Sequence, residues 1–456
     1  MASFEHCVKV SLTKLKANIE LKQQQLDVLQ AVFDGKDTIA VLPTGFGKSL
    51  LFQMLPYLMA EKFGKSKPMI VIVIAPINAI MEEQVRELRA KGIMACSLSY
   101  SGSGATTFDA EEDMEDTDCD DKVILPKEVT MKELMDGKYH IIYTHPECLF
   151  QSKAIAKMIR SKNYQEHLCG IVIDEVHMIL EWGPEFRPKF ERLGELTCLH
   201  PQIAHVALTA TAKPESINTL AQSLMYKNVT VVAVNPDRPN IFIDVRNRPP
   251  NIRKVEKYNS FIEPLAHELD NKMEKFPLTI AYIENLEALG YCYQVLNSTL
   301  KEKQYNGKEH IPENRLFAQF HTDYTADMKK HIITDLCKRT PTTRLILATV
   351  ALGMGLNAPS VERVMHMRPP VCLENYLQEI GRAGRTGQQS SAVLFFNNSD
   401  IASNRKGMTK EMVDFCQNTE TCLRLQLVKY FGFDNVLYSG TKENCCKNCR
   451  EKFKAN

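Results

Sequence analysis

Four stretches of the chain carry side chains whose types and spacing suit chemistry. In "VLPTGFGKSLLFQ" (41–53), Gly45 and Gly47 lie between an apolar run and a helical pattern, and Lys48 and Ser49 follow at once. Such a turn points backbone N–H groups and a helix N-terminus at an anion, and glycine lets the backbone come close. Lys48 would meet the terminal phosphates of a nucleotide and Ser49 would ligate Mg²⁺. Leu42 stands where the full phosphate-loop pattern has its first glycine. A glycine turn without a ligand would leave the lysine at the helix start unexplained.

In "GIVIDEVHMILEWGPEFRP" (170–188), Asp174 and Glu175 directly follow an apolar run. Strand ends of an open α/β sheet converge where ligands bind. There one carboxylate can hold Mg²⁺ and the next can orient or deprotonate a water; the plainer reading is a helix start that favours acids. Trp182, the only tryptophan, lies seven residues beyond Glu175, with Phe186 and Arg187 beside it. In "QEIGRAGRTG" (378–387), Arg382 and Arg385 are three apart, so a helix would present them on one face. Guanidinium groups can stabilise charge on a transferring phosphoryl group, whereas a solvated basic helix end would do nothing.

The fourth stretch is the cysteine-bearing tail. Five of fourteen cysteines (Cys416, Cys422, Cys445, Cys446 and Cys449) fall in the last 41 residues. Without a secretory leader such thiols are metal ligands rather than disulfides. Cys446 and Cys449 have the spacing of a zinc knuckle, and Cys422 precedes the amphipathic "LRLQLVKYFGF". Zinc wants four ligands in a tetrahedron. Cys416 is taken as the fourth and Cys445 is the alternative, because adjacent cysteines do not easily bind one ion. A degenerate, metal-free remnant is the competing reading.

These groups need a scaffold. Strand-like runs at 38–43, 69–76, 140–144, 170–174 and 205–210 alternate with helical patterns, which implies a mostly parallel sheet flanked by helices. The Pro-rich "NPDRPNIFIDVRNRPPN" (235–251) breaks that series, and a second follows at 278–283, 316–321, 344–350, 361–367 and 391–396. The expected organisation is two α/β lobes, 1–234 and 235–400, and a small helical tail, 401–456. Net charge is +1, but "DAEEDMEDTDCDD" (109–121) holds nine acids and reads as a solvated insertion. The remainder is mildly basic, which permits a polyanionic partner. "MIVIVIA" (69–75) is too short to span a bilayer, and the first twenty residues lack a signal-peptide core. A soluble intracellular chain without a membrane partner is expected.

Taken in order, the motifs resemble those of the RecQ family of DNA helicases, within superfamily two. "LKQQQLDVL", "LPTGFGKS", "IAPINAIMEEQV", "YTHPECL", "IDEVH", "ALTATA", "RPNIFIDV", "ATVALGMGLNAP" and "YLQEIGRAGRTG" follow one another from about Leu21, and the likeness runs to Cys449. The resemblance implies two tandem RecA-like lobes with parallel sheets, followed by a partial zinc-binding subdomain. It implies ATP and Mg²⁺, held by Lys22, Gln25, Thr44, Gly45, Gly47, Lys48 and Ser49, with Gln25 reading adenine. Asp174 would hold Mg²⁺, Glu175 would act as base, and His177, Thr209 and Thr211 would relay nucleotide state. Gln378, Arg382 and Arg385 would act on the γ-phosphate, Arg385 as arginine finger. "MILEWGPEFRP" matches an aromatic-rich loop that engages single-stranded DNA. Stacking on Trp182 and Phe186 would be worth roughly 1–3 kcal/mol per base, and Arg187 would meet a phosphate or brace the loop; a core role is the alternative for Trp182. Single-stranded and tailed double-stranded DNA are the implied partners, unwinding with 3′-to-5′ polarity the implied activity, and the nucleus the implied location.

The chain departs from the family pattern in places. Ala75 stands where a hydroxyl residue is usual, Asn357 and Ala358 replace Asp-Lys, "FHTDYT" lacks Ala-Gly after its histidine, and Lys452 stands where a further cysteine is common. The winged-helix and later modules have no room before Asn456. These departures leave two rivals: an RNA helicase or a translocase that moves without separating strands, and a nucleic-acid scaffold whose motor has decayed.

Overall fold

The computed structural model describes residues 2–76, 78–100, 123–181, 191–251, 256–307, 309–349 and 358–455. They form two compact units, Met1–Val234 and Asn235–Asn456, with the tail inside the second. The acidic insertion at 109–121 lies outside the described residues.

The first unit is built on β1 (Thr38–Val41), β2 (Ile70–Ile74), β3 (Ala95–Tyr100), β4 (Val123–Ile124), β5 (Ile141–Thr144), β6 (Leu168–Ile173), β7 (Ala204–Thr209) and β8 (Thr230–Ala233). Their order is β4-β3-β5-β2-β6-β7-β1-β8, parallel except for the β3–β4 pair. Runs such as "IVIVI" are buried throughout because both faces of a parallel sheet are covered. Alternate residues supply two cores. Val71, Val73 and Val172 face one, while Ile70, Ile72, Ile74, Ile171 and Ile173 face the other.

The second unit carries β9 (Ile241–Asn247), β10 (Thr279–Tyr282), β11 (Phe317–Phe320), β12 (Leu345–Ala348), β13 (Arg363–His366) and β14 (Ser390–Phe396). Their order is β11-β12-β10-β13-β14-β9, all parallel. The same alternation holds: Ile280, Ile346 and Val364 face one core, Ala281, Leu345, Leu347 and Met365 the other. The first of these cores runs on into the tail through Phe415, Leu423, Leu427 and Phe431, so the tail is an extension of the unit.

Candidate nucleotide site, arginine turn and four-cysteine centre

The phosphate-type loop leaves the end of β1, where Leu42 N–H donates to the Thr209 carbonyl at the end of β7. Gly45 and Gly47 both take positive φ, and Gly47, at φ 88°, is the N-cap of helix Lys48–Lys62. A Cβ on Gly47 would lie 2.7 Å from Gln25 Nε2, so both conformation and space demand glycine. Gln25 is buried; its Oε1 accepts from Lys22 N–H at 2.9 Å and its Nε2 donates to the Phe46 carbonyl at 3.0 Å. The Lys22 ammonium sits 4.0 Å above the Phe46 ring. Lys22 and Gln25 therefore buttress the loop holding Thr44, Gly45, Gly47, Lys48 and Ser49. Lys48 Nζ folds across that loop to the Leu42 carbonyl at 3.1 Å.

Asp174 and Glu175 leave the end of β6, two strands from β1 in the same parallel sheet, so loop and acids share one edge. Asp174 N–H donates to the Ile74 carbonyl and Val176 N–H to the Leu208 carbonyl, pinning the acids between the ends of β2 and β7. Glu175 adopts φ 51°, the left-handed region that costs a non-glycine residue about 1–2 kcal/mol; Asp174 Oδ1 accepts its N–H at 3.0 Å. Burial, then the Glu175 charge, pushes the Asp174 carboxyl up to about 6, with Lys48 acting in the opposite sense. A divalent cation would relieve both causes, and hard oxygen donors on the same sheet edge as a lysine fit Mg²⁺ with nucleotide phosphates.

The acids also connect to β7. The Thr209 hydroxyl donates to the Thr211 carbonyl at 3.0 Å and accepts from Thr211 N–H at 3.2 Å. His177 Nδ1 shares a hydrogen bond with the same hydroxyl at 3.0 Å. The same Nδ1 lies 3.4 Å from Glu175 Oε2. His177, Thr209 and Thr211 thus form one buried hydrogen-bonded set touching Glu175.

In the second unit, Gln378 lies on helix Leu373–Ile380, and Arg382 and Arg385 follow in the turn after Gly381. Arg382 is buried and Arg385 half-buried. Burial first, then Arg382 and Arg238, lowers the Arg385 guanidinium to about 10, which still leaves it charged at neutral pH. The turn is held by residues to which the sequence reading assigned no role. Arg238 donates to the carbonyls of Gly381 (3.2 Å), Ala383 (3.0 Å) and Gly384 (2.7 Å), and Asn240 Nδ2 to those of Gly384 and Gln388 (both 2.8 Å). Gly384 has φ 64°, and a Cβ there would collide with Asn240 Nδ2.

Four tail thiols converge: the sulfurs of Cys422, Cys445, Cys446 and Cys449 all lie within 4.8 Å of one another. Cys422 is 3.7 Å from Cys445 and 3.9 Å from Cys446. A tetrahedron of Zn–S bonds of about 2.3 Å puts its sulfurs roughly 3.8 Å apart, so the four thiols fit zinc. Cys416 does not join them, which corrects the expected ligand set. Its helix, Lys410–Gln417, turns it into the core, where burial pushes its thiol up to about 12. Cys445 takes its place although it adjoins Cys446. Backbone bending allows this: Cys445 closes the turn Lys442–Asn444 at φ −76°, ψ −65°, and Cys446 leaves by a bridge to Ile243 on edge strand β9. A further buried arginine, Arg424, touches this centre. It donates to Asp237 Oδ1 (2.6 Å) and to the carbonyls of Arg238 (2.8 Å), Ile241 (2.5 Å) and Cys445 (3.1 Å). An arginine on the apolar face of "LRLQLVKYF" was the available signal, since a charge is buried only when paired.

Trp182, Phe186 and Arg187 lie outside the described residues, as does Asn357. Among the described residues no helix is long and apolar enough to cross a membrane.

Residues 22–220 match the DEAD/DEAH box helicase family, 274–387 the helicase conserved C-terminal domain, and 387–450 the RecQ zinc-binding domain. The ATP-dependent DNA helicase Q1 of Rattus norvegicus is 29% identical over 445 residues, 93% of this chain and 62% of that protein. These matches and this relative together support a RecQ-type helicase. Another RecQ-family relative, the RecQ-like DNA helicase BLM of Xenopus laevis, is 27% identical over 94% of this chain and 29% of its own length. Solved structures that share the fold include the DUF1998 helicase MrfA bound to DNA (TM-score 0.62, 17% identity, 87% of this chain and 52% of that one). A DEAD-box helicase bound to single-stranded RNA is as similar (TM-score 0.62, 17% identity, 91% and 77%). Such distant likeness describes the RecA-like fold of the two units. The chain spans 62% or less of the length of these two curated relatives.

Proposed function

We propose that the chain is an ATP- and Mg²⁺-dependent DNA helicase that couples hydrolysis to 3′-to-5′ movement on single-stranded DNA and to unwinding of tailed duplexes, in the nucleus. The observation that carries the catalytic half is the sheet edge where Lys48 and the Asp174–Glu175 pair act on each other electrostatically. Bound Mg²⁺ would neutralise charge on the phosphates and bind through Ser49 and Asp174. Lys48 would bind the terminal phosphates, and Glu175, held by its strained backbone, would take the proton of the attacking water. His177, through Nδ1, would report on Glu175 to Thr209 and Thr211. Gln378, Arg382 and Arg385 would stabilise charge on the γ-phosphate. Zinc in the four-cysteine centre would be structural: four thiols close its coordination and leave no position for substrate. Residues 1–234, 235–400 and 401–456 would serve as the two motor lobes and the zinc subdomain.

DNA as the partner is supported by the names of two relatives, both DNA helicases. Trp182, Phe186 and Arg187 are the residues we assign to it, because aromatic faces stack on bases without regard to sequence. The test is ATP hydrolysis and strand displacement with tailed DNA and RNA duplexes of both polarities. Displacement of 3′-tailed DNA is expected. No stimulation by any nucleic acid removes the motor, stimulation without displacement makes it a translocase, and activity on RNA alone makes it an RNA helicase. Trp182→Ala is expected to lower the ratio of DNA-stimulated to basal hydrolysis. Unchanged stimulation with a lower unfolding temperature would return Trp182 to the core.

A further inference from the structure

The buried polar groups behind the arginine turn form one continuous chain. At one end Cys445, a thiol of the four-cysteine centre, gives its carbonyl to Arg424 Nη2 at 3.1 Å. Arg424 is 1% exposed, packs over the Tyr438 ring at 5.0 Å, and donates through its two Nη atoms also to Asp237 and to the carbonyls of Arg238 and Ile241, while its Nε makes no hydrogen bond. Asp237 Oδ2 accepts from Leu437 N–H (2.6 Å) and Tyr438 N–H (3.1 Å), which ties the same point to the loop between helix Leu423–Tyr430 and the cysteines. From Arg238 the chain passes by three hydrogen bonds to the carbonyls of Gly381, Ala383 and Gly384, the backbone that carries Arg382 and Arg385.

We propose that Arg424 is a positioning residue for hydrolysis: its fork holds residues 237–238 against the four-cysteine centre, and Arg238 in turn sets the arginine turn. The proposal rests on the functional reading above. A buried arginine with four acceptors in fixed directions locates backbone better than a lysine, whose ammonium is a point charge on a flexible stem. Misplacement of a catalytic guanidinium by about 1 Å can cost up to 10²-fold in rate. The link belongs to this chain's own cysteine arrangement, because the carbonyl that Arg424 grips is that of Cys445, the ligand adjoining Cys446.

The test uses the full chain with its zinc. Arg424→Lys keeps a cation opposite Asp237 and removes the fork. Expected are a kcat lower by about tenfold to 10²-fold, KM for ATP and affinity for a fluorescent ATP analogue within about twofold, and still about one zinc per chain. Arg238→Lys, further along the chain of contacts, is expected to do the same. Combined with Arg385→Ala, either substitution should cost no further kcat, since groups that act as a unit are not additive. Additive losses, a weakened ATP affinity with kcat intact, or unchanged kcat in both variants would overturn the proposal. Should Arg424→Lys lose its fold or zinc, the Arg238→Lys and Arg385→Ala pair decides it in the same way. A wild-type chain that does not hydrolyse ATP overturns the functional reading itself, an outcome distinct from an active wild type with an indifferent Arg424.

Discussion

The nucleotide loop of the first unit and the arginine turn of the second solve the same problem differently. Both hold cations to which we assign phosphate contacts: Lys48 in the first, Arg382 and Arg385 in the second. In the first unit the positioning is local: Gly45 and Gly47 shape the loop, the helix starts at Lys48, and the acids leave a neighbouring part of the same sheet edge. In the second unit the turn carrying Arg382 and Arg385 is braced from Arg238 and Asn240, more than 140 residues earlier, and from Arg424 behind them. A site built on a strand end and a helix start survives on few contacts because those elements are rigid. A turn has no such rigidity and depends on whatever meets its carbonyls.

That contrast can be broken or sharpened. The largest expected effect is Arg385→Ala, which should lower kcat by about 10³-fold or more while ATP still binds; single-turnover hydrolysis and analogue binding check it, and a fall in affinity alone would contradict a transition-state role. Glu175→Gln should cost about 10²- to 10⁴-fold in the chemical step with Mg²⁺–nucleotide affinity retained, measured the same way. Gly384→Ala should cost roughly 1–3 kcal/mol of stability and some kcat, because its Cβ would collide with Asn240; thermal unfolding should show the loss, and an unaffected variant would mean the turn is not tightly held.

The smallest expected effect is on pH. The Asp174 carboxyl is raised to about 6, so below that it is protonated and poor at holding Mg²⁺. Mg²⁺–nucleotide affinity should therefore fall as pH drops through about 6, by at most about tenfold per unit from this group. For the protein without metal the sign reverses. A raised folded-state pKa contributes stability that is fully present below the ordinary carboxylate value near 3.8 and is lost as pH rises through about 6. Asp174→Asn should accordingly abolish the pH step in both affinity and unfolding temperature; its persistence would assign the step to another group.

Much of the nucleotide site was legible because its signals are short: a glycine turn before Lys48, two acids after an apolar run, strand-like runs at regular intervals. Arg238 and Asn240 stood inside a quoted Pro-rich stretch and still carried no visible role, because hydrogen bonds to carbonyls leave no mark on the composition of the acceptor. Cys416 illustrates the same limit from the other side. It stood in the cysteine-rich tail without an adjoining cysteine, which suited a ligand, but its helix faces it inward.

By itself the sequence determined the two parallel α/β units, the phosphate-type loop, the acidic pair and a cysteine-rich tail, since each follows from period, turn chemistry or residue type over a few consecutive positions. Only the tertiary structure decided that Cys445 rather than Cys416 completes the four thiols, that His177 meets the Thr209 hydroxyl, and that Arg424 joins the cysteines to the arginine turn. The reason is physical: such contacts depend on which way a side chain leaves its backbone and on partners up to some two hundred residues away, and no local pattern encodes either.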